Sequence, residues 1–149
     1  MRASKPAFTL MEVVIVLGLV SLLLVVGFFP AQRLKDSYQE KQFWRIFNQA
    51  WTKTALTSER KGAVAEVAFR KKYIDFINYE EDVHGEKRTV RRLELPGSLE
   101  ILSGFAYADF YKNGGTRFDR VVFYSHVTKK KYIMIPQVGF GGRYRLEVK

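Results

Sequence analysis

The residue whose surroundings most demand chemistry is Glu12. Across residues 8–29 the only other polar side chains are Thr9 and Ser21. A carboxylate in the middle of a bilayer costs roughly 2.5–3.5 kcal/mol, less near an end, so it is normally paired or functional. The plainer role is an interfacial acid whose head reaches water. Clustered cations are the other candidates: Arg70-Lys71-Lys72, Lys87-Arg88 with Arg91-Arg92, and Lys129-Lys130-Lys131. Such clusters either keep strand edges soluble or contact phosphate without reading sequence. On the second reading Lys129, Lys130, Lys131, Arg88, Arg91 and Arg92 are candidate DNA contacts. Tyr73, Tyr124 and Tyr132 stand beside the clusters and could stack on unpaired bases, although they suit strands equally well.

Much other chemistry is excluded. Without Cys there are no disulfides, no thiolate nucleophile and no Cys-ligated metal or cluster. Two His, His84 and His126, leave little room for a His-built metal site. Glu80-Glu81-Asp82 lacks the spaced oxygens of a calcium loop and reads as a solvated turn. No Gly-x-Ser-x-Gly elbow, His-Glu-x-x-His pair or Gly-x-x-x-x-Gly-Lys loop occurs. Gly139-Phe140-Gly141-Gly142 is turn material and too short for a dinucleotide fingerprint. The chain reads as a non-enzyme with no metal or cofactor.

These residues belong to a chain of 149 residues with a formal charge of +10 and 47% hydrophobic side chains, enough for one folded domain. As a helix, residues 8–29 would rise about 33 Å, enough for a bilayer core. An ordinary secretory signal, with Arg2 and Lys5 as its basic start, is the competing explanation. Its apolar run would be unusually long, and Phe29 spoils the small-x-small pattern before a cleavage point. Pro30 ends the run and is expected to kink or break the helix.

What precedes Glu12 is more specific. Lys5-Pro6-Ala7-Phe8-Thr9-Leu10-Met11-Glu12 resembles the cleavage and methylation signal of type IV pilins and pseudopilins. The resemblance implies a leader at residues 1–7, cut between Ala7 and Phe8 by a prepilin peptidase that also methylates the new Phe8 amine. It implies a transmembrane and filament-core helix at 8–29 and an extracytoplasmic globular domain at 30–149. The protein would then be a single-pass chain of the cell membrane, reaching the cell surface once assembled with other pilins or pseudopilins of its filament. There Glu12 would neutralise the Phe8 amine of a neighbouring subunit, satisfying two charges that an apolar setting penalises. An acid in the first turn also suits the helix dipole. Ala7 stands where the family usually has Gly, and Pro30 lies one position later than the helix-bending Pro of many major pilins.

Beyond Pro30 the pattern is amphipathic. Leu34, Tyr38, Trp44, Phe47, Trp51 and Ala55 recur near helical spacing with charges between them. Gly62, after Arg60 and Lys61, marks a helix end. Trp44, Phe47 and Trp51 read as the face that packs on a sheet. Strands are expected at 63–69, 73–79, 89–95, 99–102, 117–125, 131–135 and 143–148, with breaks at Pro96-Gly97 and Asn113-Gly114-Gly115. A long helix followed by sequential hairpins gives an α+β class, the helix packing on one antiparallel β-sheet. The resemblance implies the same type IV pilin-like architecture, with the helix half transmembrane and half amphipathic.

The Cys-free, basic, compact chain looks most like the Gram-positive competence pseudopilins. That likeness implies a minor subunit of the competence pilus, required for DNA uptake in transformation. Same-class rivals are a pseudopilin of type II secretion and a pilin of a motility pilus. A rival of another class is an unprocessed single-pass membrane protein whose outer domain binds nucleic acid.

Overall fold

A computed structural model describes residues 9–82, 85–103, 107–137 and 142–149; for residues 26–31, 80–82 and 85–86 it describes the backbone alone. One helical span, α1 (Leu10–Lys61), precedes nine strands. These are β1 (Ala65–Phe69), β2 (Tyr73–Asp82), β3 (Gly85–Glu94), β4 (Leu99–Ser103), β5 (Tyr107–Phe110), β6 (Thr116–Arg117), β7 (Val121–Ser125), β8 (Lys131–Pro136) and β9 (Tyr144–Val148). The chain divides into two compact units, Met1–Lys35 and Asp36–Lys149.

In the first unit, residues 10–25 are helical and every side chain among them is exposed. The expected transmembrane half is not upheld. Among the described residues no helix is long and apolar enough to cross a membrane. From Gln32 onward the helix is no longer apolar, with Arg33, Lys35, Asp36, Glu40 and Lys41 in quick succession.

The second unit also departs from the expected single sheet. Its strands form two antiparallel sheets, ordered β3-β2-β1-β5-β6 and β4-β7-β8-β9. Sequential hairpins fail at three places, β3–β4, β4–β5 and β6–β7, where the chain passes from one sheet to the other. Pro96-Gly97 turns the chain out of the first sheet, with Leu99 N–H bonded to Pro96 O at 2.9 Å, and β4 then pairs with β7. β5, which carries no strong alternation and was not among the expected strands, returns to pair with β1. The stretch expected as one strand at 117–125 is split, because exposed Asp119 and Arg120 separate β6 from β7. Glu80, Glu81 and Asp82, expected in a turn, are the last residues of β2.

The helix ends as anticipated. Gly62 takes φ +60°, a region a Cβ disfavours, and Ala63 N–H donates to Ser58 O at 3.2 Å, the long bond of a Schellman cap. The face that α1 buries is Phe43, Phe47, Ala50, Trp51, Ala55 and Ser58, a clean 3.6-residue stripe. Trp44 is half-buried at its flank, while Tyr38 points to solvent.

Phe47 is completely buried between the two sheets. Trp51 lies one turn on, 3% exposed, its ring 5.0 Å from Phe110 and 5.3 Å from Phe118, with its indole N–H donated to Gly142 O. Trp51→Ala removes the ring and strands that carbonyl, so it is expected to destabilise the protein by ~3–5 kcal/mol. Denaturant unfolding measures this; an unchanged midpoint would show that the stripe does not hold the sheets.

Candidate functional site

The first candidate is the start of α1. Thr9 precedes the helix, and Glu12 N–H donates both to Thr9 O at 3.1 Å and to Thr9 Oγ1 at 3.3 Å. The spacing Thr9-x-x-Glu12 is that of a capping box, and Glu12 is the acid of the first turn. The sequence carries this capping signal in plain form beside the charge pair and the helix-dipole role expected of Glu12. The carboxylate itself is exposed. Ala7 and Phe8, the expected cleavage and methylation residues, lie outside the described residues.

The second candidate is the set of cations, which the strands sort onto different surfaces. On β3, Arg92 is opposite Asp75 and Arg88 opposite Tyr79, whereas Arg91 is opposite Phe76. Successive side chains of a strand face opposite ways, so Arg88 and Arg92 share one face and Arg91 has the other. Arg92 is also committed. Its Nε and one terminal nitrogen donate to the two oxygens of Asp75 at 2.8 and 3.0 Å, and its guanidinium lies 3.7 Å over the Tyr73 ring. The bond to Asp75 raises its pKa above the ordinary arginine value. Arg70 donates to the Tyr107 hydroxyl at 2.6 Å.

Lys129, Lys130 and Lys131 are exposed in and beside the β7–β8 turn. Lys129 has φ 58°, making it the one non-glycine residue with positive φ among those described. A side chain there costs roughly 1–2 kcal/mol, and glycine would avoid the cost. Thus the six cations expected to contact DNA do not form one patch. Lys71, Lys72 and Lys149, absent from that expectation, are the exposed lysines that stand at the same end as Lys129–Lys131. The signal that finds them is strand pairing, which no local sequence pattern displays.

A third feature was not anticipated. Glu40 is 5% exposed on α1, and both its oxygens accept from Ser125 Oγ, at 3.0 and 2.8 Å. Ser125 Oγ in turn accepts Thr128 N–H at 3.0 Å, which ties the β7–β8 turn to the helix. Beside α1 and β9 runs a groove of about 740 Å³ whose wall includes Trp44, Asn48, Glu59, Arg143 and Tyr144. No cluster of three His, Asp or Glu suited to a metal occurs among the described residues.

Comparison with protein-family models, with curated proteins and with solved structures finds no match.

Tyr144 supplies a measurable titration. Its hydroxyl donates to Asn48 Oδ1, and burial pushes its pKa up from 10.0 to about 12. Below pH 10 the phenol is neutral in the folded and unfolded chain alike. Between pH 10 and about 12 the unfolded chain loses the proton first, so stability falls as pH rises through this window. Thermal unfolding across the window is expected to show a shallower fall in Tyr144→Phe than in the wild type.

Proposed function

We propose that the chain is a minor pilin-like subunit of a competence filament, serving DNA uptake in transformation. One observation carries this reading: a capped helix start followed by apolar side chains that are all exposed, from Leu10, 85% exposed, to Val25, 60%. Apolar surface left in water costs about 25 cal/mol per Å², so this segment requires an apolar environment. A bundle with the corresponding helices of neighbouring filament subunits supplies one without asking any single helix to span a bilayer. Within such a bundle Glu12 meets the amine of a neighbour's first residue, and the opposite charge makes its burial tolerable. Processing between Ala7 and Phe8 by a prepilin peptidase creates that amine. The filament role is carried over without the membrane-crossing helix or the single sheet.

Glu12→Gln separates the cap from the charge, because Gln also serves a capping box. The variant is expected to keep its helix content by circular dichroism and to lose incorporation into filaments. Normal incorporation together with normal transformation would remove the pairing role. The intact mass of protein from its native cell is expected to match a chain beginning at N-methylated Phe8. Retention of residues 1–7 would overturn the processing, and with it the filament reading.

A further inference from the structure

Within the globular unit, lysines gather at one end. Lys71 and Lys72 form the β1–β2 turn, and Leu95 N–H bonds to Lys72 O at 2.9 Å, so the β3–β4 link lies beside them. His126 N–H bonds to Ser98 O at 2.8 Å, bringing the β7–β8 turn with Lys129 and Lys130 to the same link. Lys131 and Lys149 exchange backbone bonds of 2.7 and 2.9 Å across the adjoining strand ends. All six lysines are exposed. Acids also stand nearby: Glu94 and Glu100 line a cleft with Lys71, Lys72 and His126, Glu100 is 3.6 Å from the His126 ring, Glu40 is buried against Ser125, and Glu147 lies opposite Ile133 on β9. Positive charge dominates this end.

The same end receives the chain. The first turns of α1 in this unit meet the strand ends there, Glu40 through Ser125 and Trp44 through Tyr132, whose rings are 5.6 Å apart. Residues 10–25, apolar and exposed, precede it. Between Val25 and Asp36 the chain reaches no more than about 40 Å even when fully extended. The apolar segment and the lysine end are thus carried on one chain, joined by residues 26–35.

We propose that this lysine end binds the anionic headgroup plane of a phospholipid bilayer. An apolar segment and a polybasic patch on one chain are the two signals that together hold a protein at a membrane surface. Lysine ammonium groups are hydrated point charges, suited to a plane of mobile phosphates that offers no fixed geometry to match. Nucleic acid fits this end less well, because the neighbouring tyrosines are engaged. Arg92 covers Tyr73, Tyr132 packs on Trp44, and Tyr124 meets His126 edge-on with centroids 5.0 Å apart. The end thus offers charge without the stacking platforms that unpaired bases use.

Flotation of the full chain with vesicles of phosphatidylcholine, alone or with phosphatidylglycerol at 3:1, tests this. The wild type is expected to prefer the anionic vesicles, and the preference should fall with salt. Each lysine near an anionic surface contributes about fivefold, so changing Lys129, Lys130 and Lys131 together to Gln should cut the preference about 100-fold. A second variant, Lys71→Gln with Lys72→Gln, should cut it about 25-fold by the same reckoning. The control is Lys87→Gln with Arg88→Gln, seven residues along β3 from Glu94, which should change it little; circular dichroism confirms that each variant is folded. Equal binding of the wild type to both vesicles overturns the proposal, as does an equal loss in the control. Duplex DNA binding that disappears in the triple variant while vesicle preference stays intact would assign the end to nucleic acid instead. The readout involves no filament, so its failure leaves the subunit role untouched.

Discussion

Phe47 has ring contacts of 6.4 and 5.9 Å with Phe69 and Phe76 of the five-stranded sheet, and of 6.5 and 6.1 Å with Phe123 and Tyr144 of the four-stranded one. It makes the helix the common wall of two sheets that share few direct obligations. Trp51 extends the seam toward Phe110 and Phe118, and Phe43 begins it by stacking on Phe47 at 6.0 Å. Aromatic groups bury large areas with few rotamers to freeze, so a seam of rings is an economical way to fix two sheets against one rod. The split into two sheets follows from this geometry. A single meander would leave one side of the helical stripe uncovered.

Charge is distributed with comparable discipline. Glu40 is buried, yet its two oxygens share the Ser125 hydroxyl, and that hydroxyl also receives the Thr128 amide. The turn that presents Lys129 and Lys130 is thereby tied to the helix through one buried hydroxyl. Arg92, by contrast, spends its charge locally on Asp75 and Tyr73. Cations of identical type therefore differ in availability. Arg92 on its strand and Arg70 in its turn are each engaged by a neighbour, while Lys129 and Lys130 are exposed in theirs.

Local signals in the sequence read well, and non-local ones did not. The helix end at Gly62, the aromatic face at Phe47 and Trp51, and most strand positions could be found because each is written within a few neighbouring residues. Two sheets could not, since the pairing of β4 with β7 and of β1 with β5 depends on where Pro96-Gly97 redirects the chain. The transmembrane expectation rests on residues 8–29 as an apolar helix, whereas among the described residues no helix is long and apolar enough to cross a membrane. Glu12 was singled out for its polarity, but the Thr9 hydroxyl three residues earlier gives it a structural duty as well. The clustering of Lys71, Lys72 and Lys149 with Lys129–Lys131 exists only once strands are paired.

The C-terminal strand bears on how the protein comes into being. Tyr144 bonds to Asn48 and Gly142 O accepts from Trp51, contacts that join residues 96 and 91 positions apart. Helix α1 emerges from the ribosome first, with its ring seam facing nothing. The five-stranded sheet is complete once β6 has been made, but the four-stranded sheet cannot cover its side of the seam until β9 adds Tyr144 against Phe47 and Trp51. Long-range closure of this kind slows folding and lengthens the time that apolar surface is on view. Until Tyr144–Val148 are in place, one side of the helix's ring seam therefore stays open to water.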